Sequence, residues 1–180
     1  GTITVGSGVL AGSTTLRYQL CEAAAANNCD TASVTVVVSP TPQADAFSVQ
    51  AGQQLVNNVA GNDNMPAGST WSVQGTAPAG LVFNADGSFS YTPPAGTLGA
   101  VTFSYQACLP APNGSVCGTA TVTLNVNTGT LLAGDDSFSN IAPGTATPSV
   151  LGNDSLNGVT PPPAASVSLS LVGAPTGFGI

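Results

Sequence analysis

The chain repeats itself with a period of 91 residues, and this repeat constrains its fold more than any other feature. The segment "DAFSV" at 45–49 returns as "DSFSN" at 136–140. The segment "VAGNDN" at 59–64 returns as "VLGNDS" at 150–155, again 91 positions later. Two repeated segments with the same spacing indicate tandem modules of about ninety residues each, and modules of this size are small domains.

A second match links the beginning of the chain to its middle. The stretch "LRYQLCEAAAANNCDTASVTVVV" at 16–38 aligns with "FSYQACLPAPNGSVCGTATVTLNV" at 103–126. The alignment places Tyr18 on Tyr105, Cys21 on Cys108 and Cys29 on Cys117. The start of the chain therefore corresponds to the second half of a module.

We therefore predict one whole module flanked by two halves. Residues 1–39 form the C-terminal half of a module, 40–128 a complete one and 129–180 the N-terminal half of a third. Strand pattern begins at the first residues, with no basic region or cleavage site before it, so we expect a mature chain or a fragment of a longer one. A half sandwich exposes an apolar face and unpaired strand edges, so each half is expected to need a neighbour.

The alternation of residues predicts strands throughout. Val101, Phe103, Tyr105 and Ala107 alternate with polar residues, as strands with one buried face do. Gly and Pro recur between the predicted strands at the spacing that turns have in a β-sandwich. The one helix candidate, "CEAAAANNC" at 21–29, is short and bounded by cysteines, which favours a loop. The predicted fold class is all-β, with no significant helix.

Composition excludes several classes of function. Charged residues make up 5% of the chain, against roughly 25% in ordinary soluble domains. Arg17 is the only cation, so nucleic-acid binding is excluded, since it needs a cluster of cations against the phosphates. No apolar run approaches the roughly 20 residues that span a bilayer, so no membrane insertion is expected.

The four cysteines are predicted to form two disulfides. Cys21 and Cys29 share the outward parity of their strands, as Cys108 and Cys117 do in the central module. Four cysteines allow three pairings, and the repeat favours Cys21 with Cys29 and Cys108 with Cys117. Free buried thiols are the alternative, which the outward parity disfavours. Paired cysteines indicate an oxidising compartment.

The sequence offers few of the residue types that enzymes use for catalysis. The chain has no His and no Lys, and its eight carboxylates are scattered without an acid/base pair. A serine nucleophile would lack its usual base. We therefore predict that the chain is not an enzyme and needs no cofactor.

The two "GND" segments, 61–63 and 152–154, allow two interpretations. The simpler one is a turn, in which Asn and Asp side chains cap their own backbone. The alternative is calcium held at a module junction by carboxylates. The candidate ligands for that alternative are Asp45, Asp63, Asp136 and Asp154. The aromatic residues are assigned to the core, with sugar stacking as an alternative for Trp71; they are Trp71, Phe47, Phe89, Phe103 and Phe138.

The joint pattern resembles a known class. The "DSFSN...VLGNDS" segment, followed by "LVFNADGSFSYTPPAGTLGAVTFSYQAC" and "GTATVTLNV", is similar to the tandem immunoglobulin-like or cadherin-like repeats of large bacterial surface and secreted proteins. The resemblance covers essentially the whole chain and implies tandem antiparallel β-sandwich modules. Two features depart from the class, because the aspartate-rich calcium segment after the ND turn is missing and the paired cysteines are an addition.

Two functions follow from that resemblance as expectations. The first is a structural repeat of an extracellular filament or cell-surface adhesin stalk, whose halves are completed head to tail by adjacent repeats or by copies of the chain, as in donor-strand assembly. The second is an adhesive module that recognises glycan or a host protein through its end loops, with Trp71 and the 109–116 loop as contacts.

Overall fold

The computed structural model describes all 180 residues and consists of strands, turns and extended segments. The strands are β1 (Gly12–Glu22), β2 (Ala25–Val38), β3 (Asp45–Gln50), β4 (Leu55–Asn58), β5 (Thr70–Gln74), β6 (Leu81–Phe83), β7 (Ser88–Tyr91), β8 (Gly99–Cys108), β9 (Cys117–Asn127), β10 (Leu131–Leu132) and β11 (Ser155–Leu156). The helical part is one 3₁₀ turn at Ala164–Ser166. No helix has the length and apolar character needed to cross a membrane. The all-β prediction is confirmed.

The central part of the chain folds as two facing sheets. One sheet has the strand order β3-β9-β8-β5 and the other the order β4-β7-β6. One pair departs from the antiparallel pattern, because β3 lies parallel to β9 with Asp45 opposite Val122 and Gln50 opposite Asn127. The first strand of this module therefore depends on the last strand for its backbone partners.

Aromatic side chains fill the space between the two sheets. Phe47 and Phe89 contact each other with ring centroids 5.3 Å apart, and Phe83 meets Phe103 edge to face at 5.9 Å. The buried cluster consists of Val49, Val59, Phe89, Tyr91, Phe103, Tyr105, Ala107, Val122, Leu124 and Val126. Every one of these residues belongs to the central module, so this is where the hydrophobic core lies.

Four of the five aromatic residues assigned to the core lie in or against it. Phe89 and Phe103 are buried, and Phe47 and Trp71 are partly buried against the cluster. Phe138 is 37% exposed, so its assignment to the core is wrong for this chain. It sits in the C-terminal half, where no second sheet covers it.

The N-terminal half is a single hairpin with the register of β8 and β9. Leu16 lies opposite Val34 in β1–β2, as Phe103 lies opposite Val122 in β8–β9. No other strand pairs with this hairpin. Its apolar face therefore has the pattern of a sandwich core without the covering sheet.

The connection between β1 and β2 is tighter than the sequence suggested. We predicted a loop between Cys21 and Cys29, but β1 continues to Glu22 and β2 begins at Ala25. The four consecutive alanines present no bulk or charge that would prevent pairing. Two residues are enough to reverse the chain in an antiparallel hairpin.

The C-terminal half forms little regular structure. Its strands are the two-residue segments β10 and β11, which pair with each other. The segment 136–140, which repeats β3, forms no strand. In the central module the only partner of β3 is β9. The C-terminal half contains no counterpart of β9, and this explains why its first strand does not form.

Each half touches the central module at one end. On the N-terminal side, the Asn64 side chain donates to the carbonyl of Val9 at 3.0 Å, and Ala11 N donates to the Asn64 carbonyl at 3.4 Å. On the C-terminal side, Asn157 Nδ2 donates to the carbonyl of Ala51 at 3.1 Å. Asn64 follows Asp63, which meets Gln43 just before β3, whereas Ala51 directly follows β3, so the two contacts lie near opposite ends of that strand.

The linker between β2 and β3, which leads into the central module, runs close to β9. A Cβ atom at Gly118 would lie 2.5 Å from the Pro40 carbonyl oxygen and 2.5 Å from the Pro42 ring, so only glycine allows this approach. The prolines stiffen the segment. The linker is therefore packed against the module that follows it.

Two valines at equivalent positions provide a test of the difference between these parts. We expect Val122→Ala to lower the free energy of unfolding by about 2 kcal/mol, because Val122 is fully buried. Val34→Ala should change it by less than about 0.5 kcal/mol, because β2 lies outside the core. Urea denaturation of the dilute chain, followed through the fluorescence of Trp71, measures both. Equal losses in the two variants would contradict the description of β1–β2 as an uncovered hairpin.

Candidate functional site

The most connected polar group of the central module is the carboxylate of Asp63. It follows the Gly-Asn pair of the first GND turn. Its Oδ1 accepts from Gln43 N at 2.8 Å and its Oδ2 from Trp71 Nε1 at 2.8 Å. The Tyr105 hydroxyl lies 2.9 Å from Oδ1 and 3.1 Å from Oδ2. One side chain thus joins the linker, β5 and β8.

Tyr105 reaches this cluster because alternation along β8 buries its ring. The side chain is fully buried, and its hydroxyl lies 2.9 Å from the Gln43 carbonyl and 3.3 Å from Asp45 Oδ2 as well as near Asp63. A phenol has one proton to donate, so these acceptors share it. Burial, together with Asp63, raises the pKa of Tyr105 well above its ordinary value.

Asp45 is the second carboxylate of the cluster. Burial raises its pKa above the ordinary value, the hydrogen bond from Tyr105 opposes that rise, and the charge of Asp63 adds to it. Two neighbouring carboxylates around one tyrosine hydroxyl are costly when both are ionised. The cluster is therefore a structural hydrogen-bond network centred on Asp63, and its stability depends on the donors that surround the carboxylates.

The sequence pattern places Tyr105 on the buried face of a strand, where it does lie, but does not predict a polar role for its hydroxyl. The available signal was that a tyrosine recurs in the repeat, as Tyr18 and Tyr105, together with an aspartate that recurs in the GND turns, as Asp63 and Asp154. Alternation alone says which face a side chain takes and nothing about its hydroxyl.

The four calcium candidates are not brought to one place. Asp45 and Asp63 share the Tyr105 hydroxyl, whereas Asp154 accepts from Gly134 N at 2.8 Å and Asp136 is exposed. Both oxygens of Asp63 already accept hydrogen bonds from protein donors. No group of three or more metal-ligating side chains occurs in the structure. The side chains of the first GND segment contact residues distant in sequence and do not cap their own turn, and calcium binding remains a prediction.

The cysteines form two disulfides across the ends of the two hairpins. Cys21 joins Cys29, and Cys108 joins Cys117, with Cα atoms 4.0 and 4.1 Å apart. In each hairpin the two cysteines are direct cross-strand partners. Closing so short a loop contributes about 2.5 kcal/mol on the chain-entropy model. Both bonds therefore hold the hairpin ends together whether or not a second sheet covers them.

The apolar face of the β1–β2 hairpin is an unpartnered surface with a defined pattern. Leu16, Tyr18 and Leu20 are 40%, 54% and 72% exposed. Their counterparts Phe103, Tyr105 and Ala107 are at most 5% exposed. The same pattern is thus a core in one place and a surface in the other.

Of the residues suggested for an adhesive surface, Trp71 and Leu109 are engaged within the fold, whereas positions 111, 112, 114 and 115 of the 109–116 loop are exposed. Trp71 is partly buried and donates its indole N–H to Asp63. In the 109–116 loop, Leu109 is buried and its N–H donates to the Val116 carbonyl. This loop forms one wall of a groove whose other wall is residues 10–14. The groove lies where the N-terminal half meets the central module.

The family comparison supports the fold described above. Residues 38–127 match the model of the bacterial Ig domain family. No curated protein matches the chain.

Several solved structures resemble the chain at low identity. An endo-fucoidan hydrolase from glycoside hydrolase family 107 is 13% identical, with 66% of this chain and 22% of the hydrolase covered and a TM-score of 0.37. The human desmocollin-1 ectodomain is 14% identical over 66% of this chain and 28% of its own, with a TM-score of 0.36.

A third solved structure is human mucin-like protocadherin EC1-2. It is 15% identical and covers 70% of this chain and 72% of its own, with a TM-score of 0.38. The chain therefore spans about a fifth of the hydrolase, a little over a quarter of desmocollin-1 and most of the protocadherin fragment. None of these likenesses bears on what the chain does.

The Tyr105 hydroxyl is open to a direct test by substitution and pH. At pH 7 we expect Tyr105→Phe to lower the free energy of unfolding of the central module by about 1–3 kcal/mol, because Asp63 loses a donor. The raised pKa means that the unfolded chain ionises first as the pH rises. The stability supplied by Tyr105 is therefore present below about pH 10 and lost as the pH rises towards its folded value. Urea titrations from pH 7 to 11, followed by Trp71 fluorescence, measure both effects.

Asp45→Asn is a comparison variant for that experiment, because Asp45 is a weaker partner of the same hydroxyl than Asp63. Its raised pKa places its pH-dependent contribution in acid, where stability is lost as the pH rises through the folded pKa. Because the Asp45 charge and its contact with the Tyr105 hydroxyl help to raise the Tyr105 pKa, Asp45→Asn should make the alkaline slope slightly shallower, whereas Tyr105→Phe removes the Tyr105 contribution to that slope altogether. Tyr91, whose pKa burial also raises, accounts for the alkaline slope that remains. An unchanged slope in Tyr105→Phe would show that the phenol is not the group responsible.

Proposed function

The chain belongs to the bacterial Ig domain family, and we propose that it is a structural repeat segment of an extracellular filament or cell-surface adhesin stalk. Its two disulfides and its family support an extracellular, oxidising location. Ig-like sandwiches ordinarily serve as structural or adhesive units, and this chain has neither His nor Lys for catalysis. The function is then carried by how modules join.

The observation that carries the proposal is the uncovered apolar face of β1–β2. Leu16, Tyr18 and Leu20 point out of a hairpin whose counterpart is the centre of the sandwich core. Burying a side chain of this size is worth about 1.5–3 kcal/mol. A two-stranded hairpin is at best marginally stable alone in water. A neighbour that covers this face therefore gains several kcal/mol and stabilises the hairpin.

The C-terminal half has the complementary deficiency. Its exposed apolar side chains include Phe138, Leu169, Leu171, Phe178 and Ile180. It carries the repeat of β3 but no counterpart of β8 or β9. What the C-terminal half lacks is what the N-terminal half supplies.

We infer that the two kinds of half combine into composite modules. A C-terminal half would provide the strands that correspond to β3–β6, and an N-terminal half those that correspond to β7–β9. The contact is heterologous, because a different surface is used on each side, and repetition of such a contact extends a filament in one direction. The neighbour is an adjacent repeat of the same polypeptide or another copy of the chain.

An adhesive module is the second function considered, and it has weaker support. Two of the residues suggested for ligand contact are engaged within the fold, since Trp71 donates to Asp63 and Leu109 is buried. Trp71 therefore does not offer a free ring for sugar stacking. A glycan or host protein would have to bind through the exposed part of the 109–116 loop or through other exposed loops.

Assembly of the chain provides the test. In sedimentation velocity the mass of the particles should grow with concentration, and electron microscopy should show rods with an axial repeat of two modules. Val36→Asp should abolish this growth, because Val36 occupies the position of the fully buried Leu124. Ser33→Asp is the matched control, since Ser33 and its counterpart Thr121 are both exposed. A chain that remains a compact monomer at every concentration would refute the proposal.

A further inference from the structure

The Asp63 hydrogen-bond network of the central module has two parts, which come from different halves of the module. The first half supplies a frame, in which Gln43 N donates to Asp63 Oδ1 at 2.8 Å and the Asn62 side chain donates to the Ala44 carbonyl at 3.4 Å. The second half supplies the Tyr105 hydroxyl, 2.9 Å from Asp63. The hydrogen-bond network is complete only when both halves of the module are present.

The C-terminal half contains the same frame. Gly134 N donates to Asp154 Oδ1 at 2.8 Å, and the Asn153 side chain donates to the Asp135 carbonyl at 3.0 Å. Each of these residues stands 91 positions after its counterpart in the central module. The frame therefore forms without the strands that later cover it.

This second frame lacks its tyrosine. Asp154 is 8% exposed, and Gly134 N is its single hydrogen-bond donor. Residues 131–180 contain neither Tyr nor Trp, so this half has no phenol or indole to offer. A nearly buried carboxylate with one donor is poorly satisfied, because an ionised carboxylate accepts several hydrogen bonds.

The N-terminal half has a tyrosine without an acceptor. Tyr18 lies opposite Ala32 and three residues before Cys21, as Tyr105 lies opposite Ala120 and before Cys108. Its side chain is 54% exposed, whereas that of Tyr105 is buried. Tyr18 is thus the counterpart of Tyr105 in position and face.

We propose that the Tyr18 hydroxyl of one copy of the chain donates a hydrogen bond to the Asp154 carboxylate of the next copy and so sets the register in which the two halves join. This inference rests on the proposed function, because it names the polar contact inside the composite module. The partner is a second copy of the chain, since each copy carries one frame without a tyrosine, at Asp154, and one tyrosine without an acceptor, Tyr18.

A polar contact of this kind selects one alignment among several. Leu16, Leu20 and the valines of β2 are interchangeable as apolar cover, so a slip of two residues would preserve the buried face. The slip would move Tyr18 away and leave the carboxylate of Asp154 buried under apolar side chains with one donor. That penalty falls only on the wrong alignments.

The test measures the concentration at which the full chain assembles. Tyr18→Phe should raise it about tenfold to a hundredfold, because a hydrogen bond to a charged acceptor is lost while the ring is kept. In the Asp154→Asn background the effect of Tyr18→Phe should shrink to about threefold or less, since a neutral amide is a weaker acceptor. The unfolding transition reported by Trp71 should be the same in all these chains, because Tyr18 lies outside the central core.

The possible failures are distinguishable. If the wild-type chain assembles and Tyr18→Phe assembles equally well, the hydrogen bond is refuted while the filament proposal stands. The same holds if the Tyr18→Phe and Asp154→Asn effects are fully additive, because independent effects mean that the two groups do not meet. If the wild-type chain does not assemble at any concentration, both proposals are refuted.

Discussion

The structure depends on one constraint, which is that the apolar face of a β-hairpin has to be covered by a second layer. In the central module the β4-β7-β6 sheet covers β8 and β9, and ten side chains are buried between the layers. The hairpin of the N-terminal half has the same register and the same kind of disulfide, but no covering layer. Backbone pairing and a disulfide thus define a hairpin, whereas the core requires the other sheet.

The same constraint explains why the two halves differ in order. A hairpin supplies its own backbone partners, so β1 and β2 pair with each other without a strand from another half. The strand that repeats β3 has no such partner, because β3 pairs in parallel with β9 and β9 comes at the far end of the module. The C-terminal half therefore keeps its local turn contacts, including the Asp154 frame, and lacks its long-range strands.

Much of this arrangement could be predicted from sequence. The period of 91 residues locates equivalent positions, and alternation assigns Tyr105 and Val122 to the core and the cysteines to the outer face. The parallel pairing of β3 with β9 could not be predicted in this way, because alternation identifies faces and says nothing of neighbours. The polar role of Tyr105 was missed for a similar reason, since its acceptors lie 42 and 60 positions away in sequence. Phe138 was misassigned because burial needs a covering layer as well as the right parity.

Hydrogen exchange of the backbone amides of β1 and β2 tests the central claim most directly. We compare the dilute chain with the assembled chain and use β8 and β9 as the internal reference, since their amides lie in a complete sandwich in both states. The account predicts rapid exchange in the Gly12–Val38 hairpin of the dilute chain and protection close to that of β8 and β9 after assembly. Equal protection of the two hairpins in the dilute monomer would contradict it, because the β1–β2 face would then already be covered.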